Sequence, residues 1–169
     1  MLERAALKIA DWRWHDAATL TGFVRAGWGR VITDAATAES LGFVRACRLR
    51  PFAWLTPQQL DVCETEDGAL LMTLEHSWFG WGRWHVVDAE NRGLGAVLGP
   101  HLIDADGFRW AAIERGVDED VVRRTSGERC GTFRSDDTTL ELRFAAELSN
   151  PFLRMLVLGA ALAQAPLPG

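Results

Sequence analysis

The apolar segment Pro151-Phe-Leu-Arg-Met-Leu-Val-Leu-Gly-Ala-Ala-Leu-Ala-Gln-Ala165 limits the possible folds of this chain more than any other part of the sequence. Ser149 and Asn150 offer side-chain oxygens suited to an N-cap, and Pro151 suits the first turn of a helix. Leucine, methionine, valine and alanine surround the helix axis, so such a helix must be buried on all sides. The segment carries Arg154 and is shorter than the roughly 20 apolar residues that a membrane span needs. We therefore expect a buried helix over 151–165 that does not span a membrane.

Short strands joined by turns rich in Asp, Asn and Gly dominate the rest of the sequence. Segments 61–74, 84–98 and 101–113 each resemble a hairpin, because glycine in such turns accepts positive φ at no steric cost. Segment 139–144 alternates apolar and charged residues, which is typical of a strand with one buried face and one wet face. Strands at this spacing favour an antiparallel barrel or sandwich. An all-apolar helix fits inside a closed barrel, and five of its residues are then predicted to be almost fully buried: Leu153, Leu156, Val157, Ala160 and Leu162.

Composition restricts the class of partner and compartment. The chain has 169 residues and a net charge of −5, which argues against a nucleic-acid partner. Lys8 is the only lysine, a bias that fits a GC-rich genome better than a functional preference for arginine. The three cysteines, Cys47, Cys63 and Cys130, have no disulfide or metal spacing. The amino terminus has no secretory signal, so we expect a cytoplasmic protein, with peripheral association to a membrane as the alternative.

The run Ser77-Trp-Phe-Gly-Trp-Gly-Arg-Trp-His-Val-Val-Asp-Ala-Glu-Asn-Arg-Gly-Leu-Gly95 resembles a repeated unit of the tubby-like C-terminal superfamily. That superfamily includes tubby proteins, phospholipid scramblases and plant LURP-one-related proteins. The order of the last segments is also similar, with strands over 130–144 followed by an apolar helix. The resemblance implies one domain over 1–169, built as a closed antiparallel β-barrel of about twelve strands around the helix 151–165. It also implies an association with anionic lipid.

Two features of the superfamily are not carried over. The proposed calcium-binding stretch of scramblases is rich in Asp, whereas segment 144–150 has a single acid, Glu147. The cysteine cluster that scramblases use for palmitoylation is also absent. We therefore predict no metal and no cofactor.

Two arginine clusters are the candidate anion sites. Arg48 and Arg50 share one face if their segment is a strand, with Arg45 nearby, and Arg123 and Arg124 form a second basic cluster with Arg129. Guanidinium groups suit anionic headgroups, but surface arginines paired with Glu and Asp are an alternative explanation. The leading hypothesis is a non-enzymatic protein that binds anionic phospholipid headgroups or a protein partner. A purely structural interaction domain is a further possibility.

The alternative hypothesis is a small-molecule carrier or a small β-barrel enzyme with a pocket near Trp78, Trp84, His76 and His85. The tryptophans interleaved with glycines would stack on a ligand in that case; otherwise they fill the core at a bend of the barrel. No serine lies in a nucleophile elbow, and we predict no catalytic residue. The segment His101-Leu-Ile-Asp104-Ala-Asp106-Gly107 faintly resembles a calcium loop, but a hairpin turn explains it more simply.

Overall fold

The computed structural model of the protein describes residues 1–12, 25–49, 59–64, 68–76, 82–136 and 138–165, and within these it describes no side chains at 11–12, 25–28 and 46–49. The described residues form twelve strands and one helix. In chain order these are β1 (Ala6–Trp12), β2 (Arg25–Asp34), β3 (Ser40–Leu49), β4 (Gln59–Glu64), β5 (Leu70–His76), β6 (Arg83–Asp88), β7 (Gly93–Leu98), β8 (His101–Asp104), β9 (Arg109–Glu114), β10 (Asp120–Arg124), β11 (Arg129–Ser135), β12 (Thr139–Phe144) and α1 (Pro151–Gln164).

The strands form one closed antiparallel barrel. Each strand pairs with its neighbours in the sequence, and β1 pairs with β12 to close the ring. The closing pair has Leu7 opposite Leu142 and Ile9 opposite Leu140, all four with fully buried side chains. Closure leaves the barrel without a free edge strand. The predicted fold class, a closed barrel of about twelve antiparallel strands with one C-terminal helix, is confirmed.

Alternation of side chains gives each strand an inner and an outer face. In β12 the buried residues Leu140, Leu142 and Phe144 alternate with Glu141 and Arg143, as the sequence predicts. Strand β6 alternates in the same way. The inner faces form the core, and the outer faces carry the charged residues.

Aspartates at the strand ends build several of the hairpin turns. The carboxylate of Asp88 accepts hydrogen bonds from the backbone N–H groups of Glu90 and Arg92, and from the Arg92 side chain. Asn91 then adopts a φ of 62°, a left-handed conformation that asparagine tolerates better than most residues. Asp104 makes the equivalent bonds to the N–H groups of Asp106 and Phe108. These turns hold the hairpins in register because each buried or half-buried carboxylate is satisfied within its own turn.

Helix α1 fills the inside of the barrel. Asn150 is its N-cap and accepts a hydrogen bond from the N–H of Phe152 at 2.9 Å, and Pro151 occupies the first turn. Residues Met155 to Leu162 are all buried, and two turns of buried residues cover every side of a helix. Gly159 lies against Val86 in β6, and Val157 lies against Gly131 in β11, on the opposite wall of the ring. The helix is therefore packed between facing walls of the barrel.

The helix differs from the prediction in two details. It ends at Gln164, and Ala165 is its C-cap. Leu156, Val157, Ala160 and Leu162 are almost fully buried as predicted, but Leu153 is only partly buried. Leu153 belongs to the first turn, at the mouth of the barrel, where the strands no longer surround the helix. Among the described residues no helix is long and apolar enough to cross a membrane.

Arg154 connects the start of the helix to the rest of the barrel mouth. Its guanidinium donates to the backbone oxygens of Leu2 and Leu148 and lies 5.2 Å from the centre of the Phe144 ring. The one charged residue in the apolar segment therefore lies at the mouth, where backbone carbonyls satisfy it.

Acid should destabilise the turn built by Asp88. Burial alone would raise the pKa of Asp88, but the hydrogen bonds from Arg92 and Glu90 hold that pKa below its usual value. A carboxyl with a lowered pKa in the folded state adds stability above its unfolded pKa of about 3.9 and loses it as the pH falls further. We expect Asp88→Asn to lower the free energy of unfolding at pH 7, with the difference from wild type shrinking at pH 3. Urea unfolding at both pH values measures this.

The control for this prediction is Asp106→Asn in the next hairpin turn. Asp106 is exposed and its carboxylate accepts no hydrogen bond from the described residues, so we expect this variant to follow wild type at both pH values. A difference between Asp88→Asn and wild type that stays constant from pH 7 to pH 3 would contradict the prediction.

Candidate anion-binding groove

A groove of 710 Å³ lies on the outer wall, where the β10–β11 turn meets the link between β12 and α1. Strands β11 and β12 form its floor, with Thr132 opposite Arg143 in the ladder. Three arginines, two glutamates and several small or apolar residues line it: Arg124, Glu128, Arg129, Cys130, Gly131, Thr132, Arg143, Phe144, Ala145, Ala146, Glu147 and Leu148. Most of the charged side chains near the groove are therefore cationic.

A β-bulge shapes this part of the wall. Val122 pairs with Gly131 and Arg123 pairs with Arg129, so Cys130 is an extra residue in β11. A bulge bends the strand and changes the direction of the following side chains. Gly131 allows the floor to lie close to its neighbours, since a Cβ there would come within 2.7 Å of the Arg143 carbonyl oxygen.

Two of the lining arginines are held in place by acidic and aromatic neighbours. Arg124 donates to Glu128 at 2.9 Å, and its guanidinium lies 5.5 Å from the centre of the Trp110 ring. Arg129 donates to Glu119 at 3.2 Å. These ion pairs are largely exposed, and exposed pairs contribute little free energy. They orient the guanidinium groups and leave other N–H donors for a ligand.

Arg143 differs from the other two arginines. Its side chain is exposed on the outer face of β12, and it makes no ion pair or hydrogen bond with any residue in the part of the chain that the structure describes. A planar guanidinium without a protein partner can bind a phosphate or carboxylate through two parallel hydrogen bonds. Arg143 is therefore the side chain in the groove best placed to bind an anion.

Cys130 lies in the groove but is not a nucleophile in this state. The residue is almost fully buried, and burial raises the pKa of its thiol in spite of the nearby Arg124. A thiol with a raised pKa stays protonated at neutral pH and reacts slowly. The groove can thus bind an anion but offers no activated nucleophile among its described side chains.

The structure places the arginines of the two predicted clusters in different surroundings. Arg124 lines the groove, as does its neighbour Arg129. Arg123 does not, because it donates to Glu114 at 3.1 Å and to the Gly127 carbonyl at 2.9 Å on the wall beside it. Arg50 and the side chain of Arg48 lie outside the described residues.

Sequence reasoning did not single out Arg143 or Thr132. The alternation in segment 139–144 did place Arg143 on the wet face, and the structure confirms that placement. Composition and periodicity do not predict the cross-strand register that places Thr132 opposite Arg143.

The residues of the alternative pocket do not all face one side of the sheet. His76 and Trp84 pair across β5 and β6, with ring centres 4.9 Å apart. Trp84 is buried with the inner face of β6, whereas His85 follows it in the strand and faces outward. Trp78 lies outside the described residues.

The segment around His101 and Asp104 forms a hairpin turn. The Asp104 carboxylate accepts two backbone N–H groups of its own turn, and Gly107 has a φ of 88°. The turn interpretation of Asp104 and Gly107 is thereby confirmed. Within the described ranges, no three His, Cys, Asp or Glu side chains converge as metal ligands.

Comparison with known proteins supports the fold but does not identify a family. No protein-family model matches the sequence, and no curated protein matches it significantly. The structure is similar to the X-ray structure of a protein from Arabidopsis thaliana, with a TM-score of 0.56 over 96% of each chain at 13% identity. A likeness at such low identity establishes a shared barrel architecture and no shared function.

Proposed function

We propose that this chain is a non-enzymatic binding module of the tubby-like, scramblase-like and LURP-one-like kind that binds phosphate groups of anionic phospholipid headgroups in the groove of Arg124, Arg129 and Arg143. The superfamily assignment is supported by the barrel filled with a C-terminal helix, which is the architecture that the sequence resemblance implies. The observation that carries the binding proposal is that Arg143 lines the groove and makes no ion pair with any residue that the structure describes.

The charges of the groove favour a phosphate over a neutral ligand. Three guanidinium groups face two lining carboxylates, Glu128 and Glu147. Glu128 is engaged by Arg124, and Arg143 makes no ion pair with either glutamate or with any other described residue. Phosphate presents several acceptor oxygens, so one group can contact more than one arginine. Because the groove lies on the outer wall, a headgroup could reach it without opening the barrel.

Loss of Arg143 should weaken binding to anionic vesicles. We expect wild-type protein to co-sediment with phosphoinositide-containing vesicles at low salt, and to remain in solution with neutral phosphatidylcholine vesicles. Arg143→Gln should weaken the binding by roughly ten- to a hundredfold, because a hydrogen bond to a charged group contributes on the order of 1.5–3 kcal/mol. Binding should also fall as salt is raised, since the attraction is electrostatic.

Arg109→Gln is the matched control. Arg109 is exposed, lies at the start of β9 outside the groove and makes no ion pair with the described residues, so its loss removes the same charge from another place. Equal weakening by both variants would mean that net charge, not the groove, governs binding. Equal sedimentation with phosphatidylcholine and phosphoinositide vesicles would overturn the lipid proposal and favour the protein-partner hypothesis.

A further inference from the structure

The arginine groove continues along the outer wall into a second, acidic cavity. This cavity has a volume of 170 Å³ and shares two lining residues, Thr132 and Arg143, with the first. Its other lining residues are mainly charged: Asp118, Glu119, Phe133, Arg134 and Glu141. The two cavities therefore form one groove that is cationic on one side of Arg143 and rich in carboxylates on the other.

Glu141 lies close to Arg143 on the same face of β12. The two residues are separated by one inward-facing leucine, which places their Cα atoms about 7 Å apart along an extended strand. Within the described residues, the Glu141 carboxylate lies 3.9 Å from Arg134, the length of a weak contact, and Lys8 lies opposite Glu141 in the β1–β12 ladder without an ion pair to it. Asp118 has no ion pair within the described residues, whereas Glu119 is held by Arg129. Two carboxylates at this end can thus accept a further cation.

Thr132 provides an independent indication of a ligand between the two ends. The residue is 1% exposed, yet it lines both cavities, and its hydroxyl makes no hydrogen bond to any described residue. The hydroxyl is not among the fully enclosed polar atoms that lack a partner, so it opens onto the cavities and is available to a ligand. The hydroxyl lies across the strand pair from Arg143, where it can contact a group bound to that guanidinium.

We infer that the ligand of this groove is an aminoalkyl phosphate, with its phosphate on Arg143 and the Thr132 hydroxyl and its primary ammonium on Glu141 and Asp118. The inference rests on the proposed function and adds the second charge of the ligand. A phosphate alone would use the arginine end and leave the carboxylate end repelling it. A short zwitterion satisfies both ends, and its ammonium can donate up to three hydrogen bonds. The same chemistry occurs in a lipid headgroup and in a free metabolite.

Phosphoethanolamine and ethyl phosphate test the inference, because they differ chiefly in the amine. We expect calorimetric titration at low salt to show that phosphoethanolamine binds at least fivefold more tightly than ethyl phosphate. Glu141→Gln should remove this preference while leaving ethyl phosphate binding equal or stronger, because a repelling charge is lost. Arg143→Gln and Thr132→Val should weaken both ligands, with Arg109→Gln as the control that weakens neither.

The possible outcomes separate this inference from the proposed function. Equal affinity for the two phosphates, or a preference that survives Glu141→Gln, overturns the zwitterion inference even if phosphoinositide vesicles still bind. If neither phosphate binds and the protein does not co-sediment with phosphoinositide vesicles, both proposals are overturned. When the preference is present, stronger binding to phosphatidylserine vesicles than to phosphatidylglycerol vesicles, which carry the same net charge without an amine, assigns the ligand to an anionic lipid. Binding of soluble phosphoethanolamine without vesicle binding assigns it to a metabolite.

Discussion

Replacing Leu158 with alanine is expected to lower the free energy of unfolding by about 3 kcal/mol, within the roughly 2–5 kcal/mol typical of buried leucines. Leu158 has no exposed surface and lies in the middle of α1, which the barrel walls enclose. The strands around it are tied into a closed ring, so they can collapse only slightly into the cavity that the substitution leaves. Urea unfolding followed by tryptophan fluorescence measures the loss.

Phe152→Ala in the same helix is the control. Phe152 is 45% exposed, and the centre of its ring lies 5.9 Å from the Arg92 guanidinium carbon. Such a cation–π interaction contributes about 0.5–1 kcal/mol at an exposed site. We expect Phe152→Ala to lower the free energy of unfolding by no more than about 1 kcal/mol, although it removes more side-chain atoms than Leu158→Ala does. If the two variants were equally destabilised, burial of α1 inside the barrel would not be the source of its stability.

Gly95→Ala is expected to be about as damaging as the loss of a core leucine, at roughly 3 kcal/mol, because strain and overpacking combine. A Cβ on Gly95 would lie 2.2 Å from the Ile103 carbonyl oxygen in the neighbouring strand β8, and its φ of 150° is one that other residues rarely adopt. Backbone on both sides is fixed by the ladder between β7 and β8. The substitution must therefore either separate the two strands locally or strain the backbone at residue 95. Urea unfolding should show the resulting decrease in the free energy of unfolding.

Gly93→Ala is the matched control in the same strand. Gly93 is exposed, and a Cβ there would meet nothing within 4 Å. We expect a change of no more than about 0.5 kcal/mol, as is usual for surface substitutions. A loss at Gly93 comparable to that at Gly95 would show that β7 is intolerant of any side chain, rather than that the approach of β8 requires glycine at one position.

Local sequence signals predicted the elements well, because they depend on neighbouring residues. Asp104 and Gly107 define a turn by themselves, and Asn150 with Pro151 defines the start of α1. The pairing of β1 with β12 joins residues such as Ile9 and Leu140, and nothing in either segment specifies the other. The number of strands therefore came from the resemblance, whereas closure of the ring was inferred both from the all-apolar helix and from the resemblance.

The candidate groove was only partly predictable for a similar reason. The cluster of Arg123 and Arg124 is evident in the sequence, but successive side chains of a strand point to opposite faces, and of these two only Arg124 lines the groove. The bulge at Cys130 also shifts the register between β10 and β11, and no local sequence signal announces that shift. The sequence places Arg143 on the solvent-exposed face of its strand. Its position near Arg124, however, depends on the pairing of β10, β11 and β12, which the sequence pattern does not specify.

The position of α1 in the chain has a consequence for synthesis. The helix that fills the barrel follows all twelve strands, and the first strand pairs with the last. While the chain grows on the ribosome, the apolar inner faces of the early strands have no packing partner until the helix emerges. Pairing over such long sequence separation is slow, and exposed apolar strands are prone to aggregate. Newly made chains should therefore depend on chaperones that shield unpaired strands until the last segment is complete.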